Sequence, residues 1–194
     1  MKKTGLFFGT FNPIHIGHLI IANHLAEFSD LDEVWFVVTP RSPFKAKESL
    51  LDDHHRFQMV YEAVKEYPRL LASDAEFKMD QPNYTIDTLT RLREQYGTDR
   101  VFSLILGEDN LKGFHKWKNY EAILAYYSLY VYPRISGGKI PGEFESHPSI
   151  TRVDAPIMEL SATFIRTQHK AGKNIRPMLP EAVWKYMDEM NFYR

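Results

Sequence analysis

The run Gly9-Thr10-Phe11-Asn12-Pro13-Ile14-His15-Ile16-Gly17-His18 constrains this chain more than any other feature. It follows an apolar segment, Gly5 to Phe8, that reads as a short buried strand. It leads into Leu19–Ala26, which reads as a helix. A glycine turn between strand and helix presents backbone N–H groups at a helix N-terminus, where an anion is favoured. Two imidazoles three positions apart then share one face of the first turn. Gly17 puts no side chain between them, and Pro13 stiffens the turn without adding an N–H that needs a partner. The chemistry indicated is the handling of a nucleotide's phosphates.

Strand and helix signals alternate along the rest of the chain. Strands are expected near 4–8, 34–38, 70–72, 101–106, 127–132 and 150–153. Helices are expected near 16–28, from 52 to before Pro68, and over 85–96, 120–124, 161–171 and 180–190. Arg41–Lys47 is basic and broken by proline, so it reads as an exposed loop. Ile135–Gly142 reads as the best loop or linker segment. Alternating βα units with continuous apolar strands imply an α/β fold, a doubly wound, mostly parallel sheet covered by helices on both faces. A small C-terminal helical part, about 155–194, is expected to belong to the same single domain, 1–194. In such sheets ligands bind beyond the carboxyl ends of the strands. Gly9 and Gly107 each end a strong strand and read as walls of one crevice.

Composition narrows the function. The chain has 194 residues, 44% of them hydrophobic and 25% charged, and its net charge of −1 argues against broad nucleic-acid binding. It contains no cysteine, which excludes disulfides, thiolate metal sites and a cysteine nucleophile. Met1-Lys2-Lys3 runs straight into a strand without a signal peptide's longer apolar stretch, and no apolar run reaches the ~18 residues that span a bilayer. A cytoplasmic protein is expected, with homo-oligomerisation left open.

Further segments carry chemistry. Ser161-Ala162-Thr163-Phe164-Ile165-Arg166 opens a helix, either with a plain serine cap or with hydroxyls and an arginine fork meeting a second phosphate. Lys45 and Lys47 are either solubilising charges or a lid over polyphosphate. Trp117 is either packing or a stacking platform, and Asp109 either a helix cap or an acceptor for ribose hydroxyls. A metal site at His15 and His18 lacks an obvious third ligand. The aromatic pairs Phe7-Phe8 and Tyr126-Tyr127 read as core. His54, His55, His147 and His169 receive no role.

Together these segments resemble the nucleotidylyltransferase superfamily, and within it the bacterial nicotinate mononucleotide adenylyltransferases. The Gly9–His18 run is similar to their phosphate-binding signature, and Ser161–Arg166 to their S-x-T-x-I-R signature. Asn83–Thr88 resembles their Y-T-x-D-T segment, Gly107–Asn110 their G-x-D segment, and Lys116-Trp117 their K-W pair. The resemblance departs at Ala162, where serine is common, and at Phe44, where histidine is common.

It implies a Rossmann-like enzyme joining ATP and nicotinate mononucleotide into nicotinate adenine dinucleotide and pyrophosphate. It implies that His15, His18 and Arg166 contact the ATP phosphates as catalytic residues, with Lys45 and Ser161 or Thr163 assisting. Gly9, Thr10, Phe11, Gly107 and Asp109 would border ATP. Tyr84 and Thr85 would meet the pyridine carboxylate, and Trp117 would stack on the pyridine ring. Mg²⁺ would be held through phosphate oxygens, with no protein metal ligands. Phosphopantetheine adenylyltransferases are usually shorter, and the Tyr84-Thr85 and Trp117 segments fit the nicotinate enzyme better. A class I aminoacyl-tRNA synthetase shares H-I-G-H, but no K-M-S-K-S segment occurs here. A non-catalytic nucleotide sensor would keep the pocket and lose turnover.

Overall fold

The computed structural model describes residues 1–43, 50–135 and 140–194. Its sheet is parallel, built from β1 (Lys2–Gly9), β2 (Glu33–Val38), β3 (Leu70–Ser73), β4 (Arg100–Gly107), β5 (Ser128–Tyr132) and β6 (Ile150–Arg152). The strand order is β3-β2-β1-β4-β5-β6. The order reverses between β1 and β4, which leaves a crevice beyond their carboxyl ends, between Gly9 and Gly107.

Helices cover both faces, as continuous apolar strands require. On one side lie α1 (Ile16–Phe28), α2 (Asp53–Val64) and two later helices, α7 (Ala162–Lys170) and α8 (Glu181–Glu189). On the other lie α3 (Thr85–Tyr96), the short α4 (Glu108–Lys112), α5 (Tyr120–Tyr126) and the single turn α6 (Gly142–Glu145). Side chains of β1 and β2 alternate between the two cores. Phe7, Val34 and Phe36 enter the first, while Leu6, Trp35 and Val37 enter the second. Ile165, Val183 and Met187 join the first core, so α7 and α8 pack onto the sheet's own core. Among the described residues no helix is long and apolar enough to cross a membrane.

Ile140, within the segment read as a loop or linker, is buried in the second core. Just beyond it Phe144 on α6 packs beside Phe114 and Tyr120. One expectation needs correction. Of the four aromatics read as core, Phe7 is buried, but Tyr126 is 70% exposed at the end of α5. Phe8 is only half-buried, because it stands where β1 opens into the crevice.

Candidate active site

The loop after β1 builds the first wall. Phe11 adopts a left-handed φ of 44° and turns its ring onto Gly9. A Cβ at Gly9 would lie 2.8 Å from the Phe11 ring, so glycine is required there. His15 caps α1 in an extended conformation, and its backbone N–H donates to His18 Nδ1 at 3.2 Å. That bond makes Nδ1 the acceptor, so Nε2 carries the ring proton and is a donor. The two imidazoles stack with centroids 3.7 Å apart, and Phe11 packs edge-on against His18 at 5.1 Å. A Cβ at Gly17 would stand 3.1 Å from His15 Nδ1, so even alanine would crowd the ring.

His15 is 4% exposed. Burial, reinforced by the Arg134 guanidinium, pushes its pKa from an ordinary 6.5 down to about 4. At neutral pH His15 is therefore an uncharged hydrogen-bonding ring. The folded pKa lies below the unfolded one, so acid opposes folding. His15 costs nothing above pH 6.5, and the penalty grows to about 3 kcal/mol as pH falls through 4. The fall in stability over that range is expected to be smaller in His15→Asn by about this amount. Urea unfolding at a series of pH values reads the difference, and matching curves would refute it.

Arg166 arrives from α7. Its Nη1 donates to the Asn12 carbonyl at 2.7 Å, and its Nη2 to Thr163 Oγ1 at 3.4 Å. Ser161 caps that helix, accepting the Phe164 N–H at 3.1 Å. Opposite, a Cβ at Gly107 would stand 3.1 Å from the Tyr132 ring and 3.2 Å from Arg134 Cγ. Its bare backbone keeps the wall beside Asp109 open. The result is a cavity of about 410 Å³ at the sheet's switch point. His15, His18 and Arg166 line it; so do Gly9, Thr10 and Phe11, with Gly107, Asp109, Ser161 and Thr163 on the far sides.

A second cavity, about 180 Å³, adjoins the first. Tyr84 and Thr85 line it at the N-terminus of α3, and Gly9, Thr10 and Trp117 line both cavities. Trp117 is half-buried against Phe114, with centroids 5.1 Å apart. The first N–H groups of α3 have no acceptor within the helix, so this cavity meets a donor-rich helix end. At its rim Lys118 bridges to Asp87 at 2.8 Å and lies 4.8 Å from the Tyr84 ring centroid. The expected residues thus divide into two adjoining groups, except Lys45, which lies outside the described residues.

The cytidylyltransferase-like family model matches residues 6–168. A probable nicotinate-nucleotide adenylyltransferase of Christiangramia forsetii is 61% identical over 193 residues, spanning 100% of this chain and 99% of the relative. This chain belongs to the nicotinate-nucleotide adenylyltransferase family. A second relative of that name, from Flavobacterium johnsoniae, is 58% identical over 192 residues, with 99% of each chain covered. The solved Plasmodium falciparum nicotinic acid mononucleotide adenylyltransferase complexed with NaAD shares the fold. It has a TM-score of 0.83 at 18% identity, over 100% of this chain and 98% of that one.

Several residues around this adenylyltransferase site gave little or no signal in the sequence. Arg56, fully buried on α2, donates to the carbonyls of Thr10 at 2.6 Å, Thr39 at 3.0 Å and Leu51 at 3.0 Å, and pairs with Asp53. It ties the turn after β1 to the end of β2 and the start of α2. Arg134 reaches the first cavity from just beyond β5. Its place after a parallel strand's carboxyl end was the one available hint. Glu76 is 1% exposed on the wall of the second cavity and accepts from Thr88 Oγ1 at 2.6 Å. Burial pushes its carboxyl pKa up, against the pull of the Thr88 hydrogen bond.

Proposed function

We propose that the two adjoining cavities are the ATP and nicotinate mononucleotide sites of one adenylyl-transfer centre. The chain is an adenylyltransferase of NAD biosynthesis, forming nicotinate adenine dinucleotide and pyrophosphate from ATP and nicotinate mononucleotide. One observation supports this arrangement above the others: Gly9, Thr10 and Trp117 stand in both cavities, so two nucleotides can meet there.

In the reaction, a 5′-phosphate oxygen of nicotinate mononucleotide attacks the ATP α-phosphorus in line. A new P–O bond forms, the α–β bridging bond breaks, and pyrophosphate leaves with that electron pair. The attacker is already an anion near neutral pH, so the protein need not supply a nucleophile or a strong base. Its work is orientation and stabilisation of charge on the transferred and leaving groups. We assign that work to His18 Nε2–H, the neutral His15 ring, Arg166 and the N-terminal N–H groups of α1 and α7. Lys45, outside the described residues, assists, Gly107 and Asp109 border the adenosine, and Phe11 holds the turn. Among the described residues lining the first cavity, Asp109 is the one carboxylate. That donor set fits Mg²⁺ carried by the nucleotide's own phosphate oxygens rather than a protein cage. When bound, the ion supplies further charge neutralisation. Both substrates are soluble nucleotides, which accords with a cytoplasmic enzyme.

The second cavity also supports a preference between acceptors. Tyr84 and Thr85 start α3, where the N–H groups and helix dipole favour a carboxylate over a neutral amide. A pyrophosphate-release assay with ATP is expected to give kcat/KM at least ~10-fold higher for nicotinate mononucleotide than for nicotinamide mononucleotide. Equal or better use of the amide would overturn this assignment of the cavity. No pyrophosphate with either acceptor would overturn the catalytic reading itself.

A further inference from the structure

Asn12 lies at the centre of the nucleotide turn and is only 2% exposed. Its side-chain Oδ1 accepts the Tyr193 hydroxyl and the Leu51 N–H, the latter at 3.3 Å. Its backbone carbonyl accepts Arg166 Nη1 at 2.7 Å. One residue therefore joins the turn after β1, the start of α2, α7 and the turn beyond α8. The Tyr193 bond closes a sequence separation of 181 residues.

The turn that presents Tyr193 is itself fixed. Asn191 and Tyr193 take left-handed φ values of 55° and 62°. The Phe192 N–H donates to the Met187 carbonyl at 3.0 Å, and its ring packs 4.9 Å from His55. A hydroxyl held this way restrains the Asn12 amide, and with it the peptide whose carbonyl aims Arg166. Burial keeps the phenol protonated and so a donor, outweighing the opposite pull of the nearby Arg166 and Arg56 cations.

We infer that Tyr193 is a positioning residue for adenylyl transfer, acting through Asn12 to hold the Arg166 guanidinium on the triphosphate. This rests on the reading that Arg166 grips those phosphates. A buried hydrogen bond that sets a charged group's aim acts on the transition state more than on substrate binding, since small misplacements slow the chemical step.

The test uses the full chain and removes one oxygen. Tyr193→Phe is expected to lower kcat about tenfold, leaving both KM values within about twofold of the parent's. Rates are taken well below each variant's Tm, so a loss of stability does not register as a loss of turnover. Tyr186→Phe removes a neighbouring hydroxyl that meets His55 instead, at 2.9 Å, and is expected to keep full activity. In an Arg166→Ala background, Tyr193→Phe is expected to cost nothing further. A kcat within about twofold for Tyr193→Phe, or an equal loss in Tyr186→Phe, overturns the inference. So does a full additional loss in the Arg166→Ala background. Should Arg166→Ala alone leave kcat intact, the reading of Arg166 fails first, and the inference falls with it.

Discussion

Arg56→Met is expected to lower unfolding stability by about 4 kcal/mol. The arginine is fully buried, and its donors satisfy carbonyls of Thr10, Thr39 and Leu51 while pairing with Asp53. Methionine restores much of the volume but none of the donors. The Thr10 and Thr39 carbonyls then lose this partner in the buried interior, each costing about 1–3 kcal/mol if water cannot reach it, and the partly buried Leu51 carbonyl loses its own. A typical domain holds only ~5–15 kcal/mol in total, so the variant is expected to be marginal at 37 °C. Arg56→Lys keeps the charge but loses the fork, and should recover less than half of the loss. Urea unfolding measures both, and a loss under about 1 kcal/mol for Arg56→Met would refute the account of this residue. Activity should fall as well, because the Thr10 carbonyl belongs to the turn lining both cavities.

His18→Ala should leave the fold intact and lower kcat by a hundredfold or more, on the order of 3 kcal/mol of transition-state stabilisation. His18 sits in the first turn of α1 with its Nδ1 engaged by the His15 N–H, which commits its Nε2–H as a donor. Alanine removes that donor and also the ring that stacks on His15 and packs against Phe11. A folded His18→Ala enzyme with near-normal turnover would exclude His18 from transition-state stabilisation. His18→Asn separates the two contributions, since its amide donates a hydrogen bond without reproducing the stacked ring.

The parts of the molecule governed by local rules were legible in the sequence. β1, the glycine turn and α1 follow from an apolar run, Gly9 and a helical stretch, and α1 spans Ile16–Phe28 as read. Likewise α3 ends before Gly97, whose φ of +54° closes the helix. The residues that line the two cavities were legible as a group because the strand-end turn and the helix starts carry distinctive residues, with the family resemblance linking segments far apart. Residues whose role depends on distant partners were not legible. Arg56 occupies the buried face of α2 alongside Met59 and Val60, yet a charged residue on a helix reads as surface unless its carbonyl partners are known. Asn12 and Tyr193 give no local hint of each other. Glu76 lies in a polar stretch after β3, where only tertiary packing buries it. Phe144 is a single apolar residue in a segment without periodicity.

A structure of the protein bound to a nonhydrolysable ATP analogue tests the central claim most directly. The triphosphate is expected over the N-terminus of α1, hydrogen-bonded to His18 Nε2 and the Arg166 guanidinium, with the adenosine between Gly107 and Asp109. A triphosphate that touches neither His18 nor Arg166, or that lies outside the cavity between β1 and β4, would contradict it.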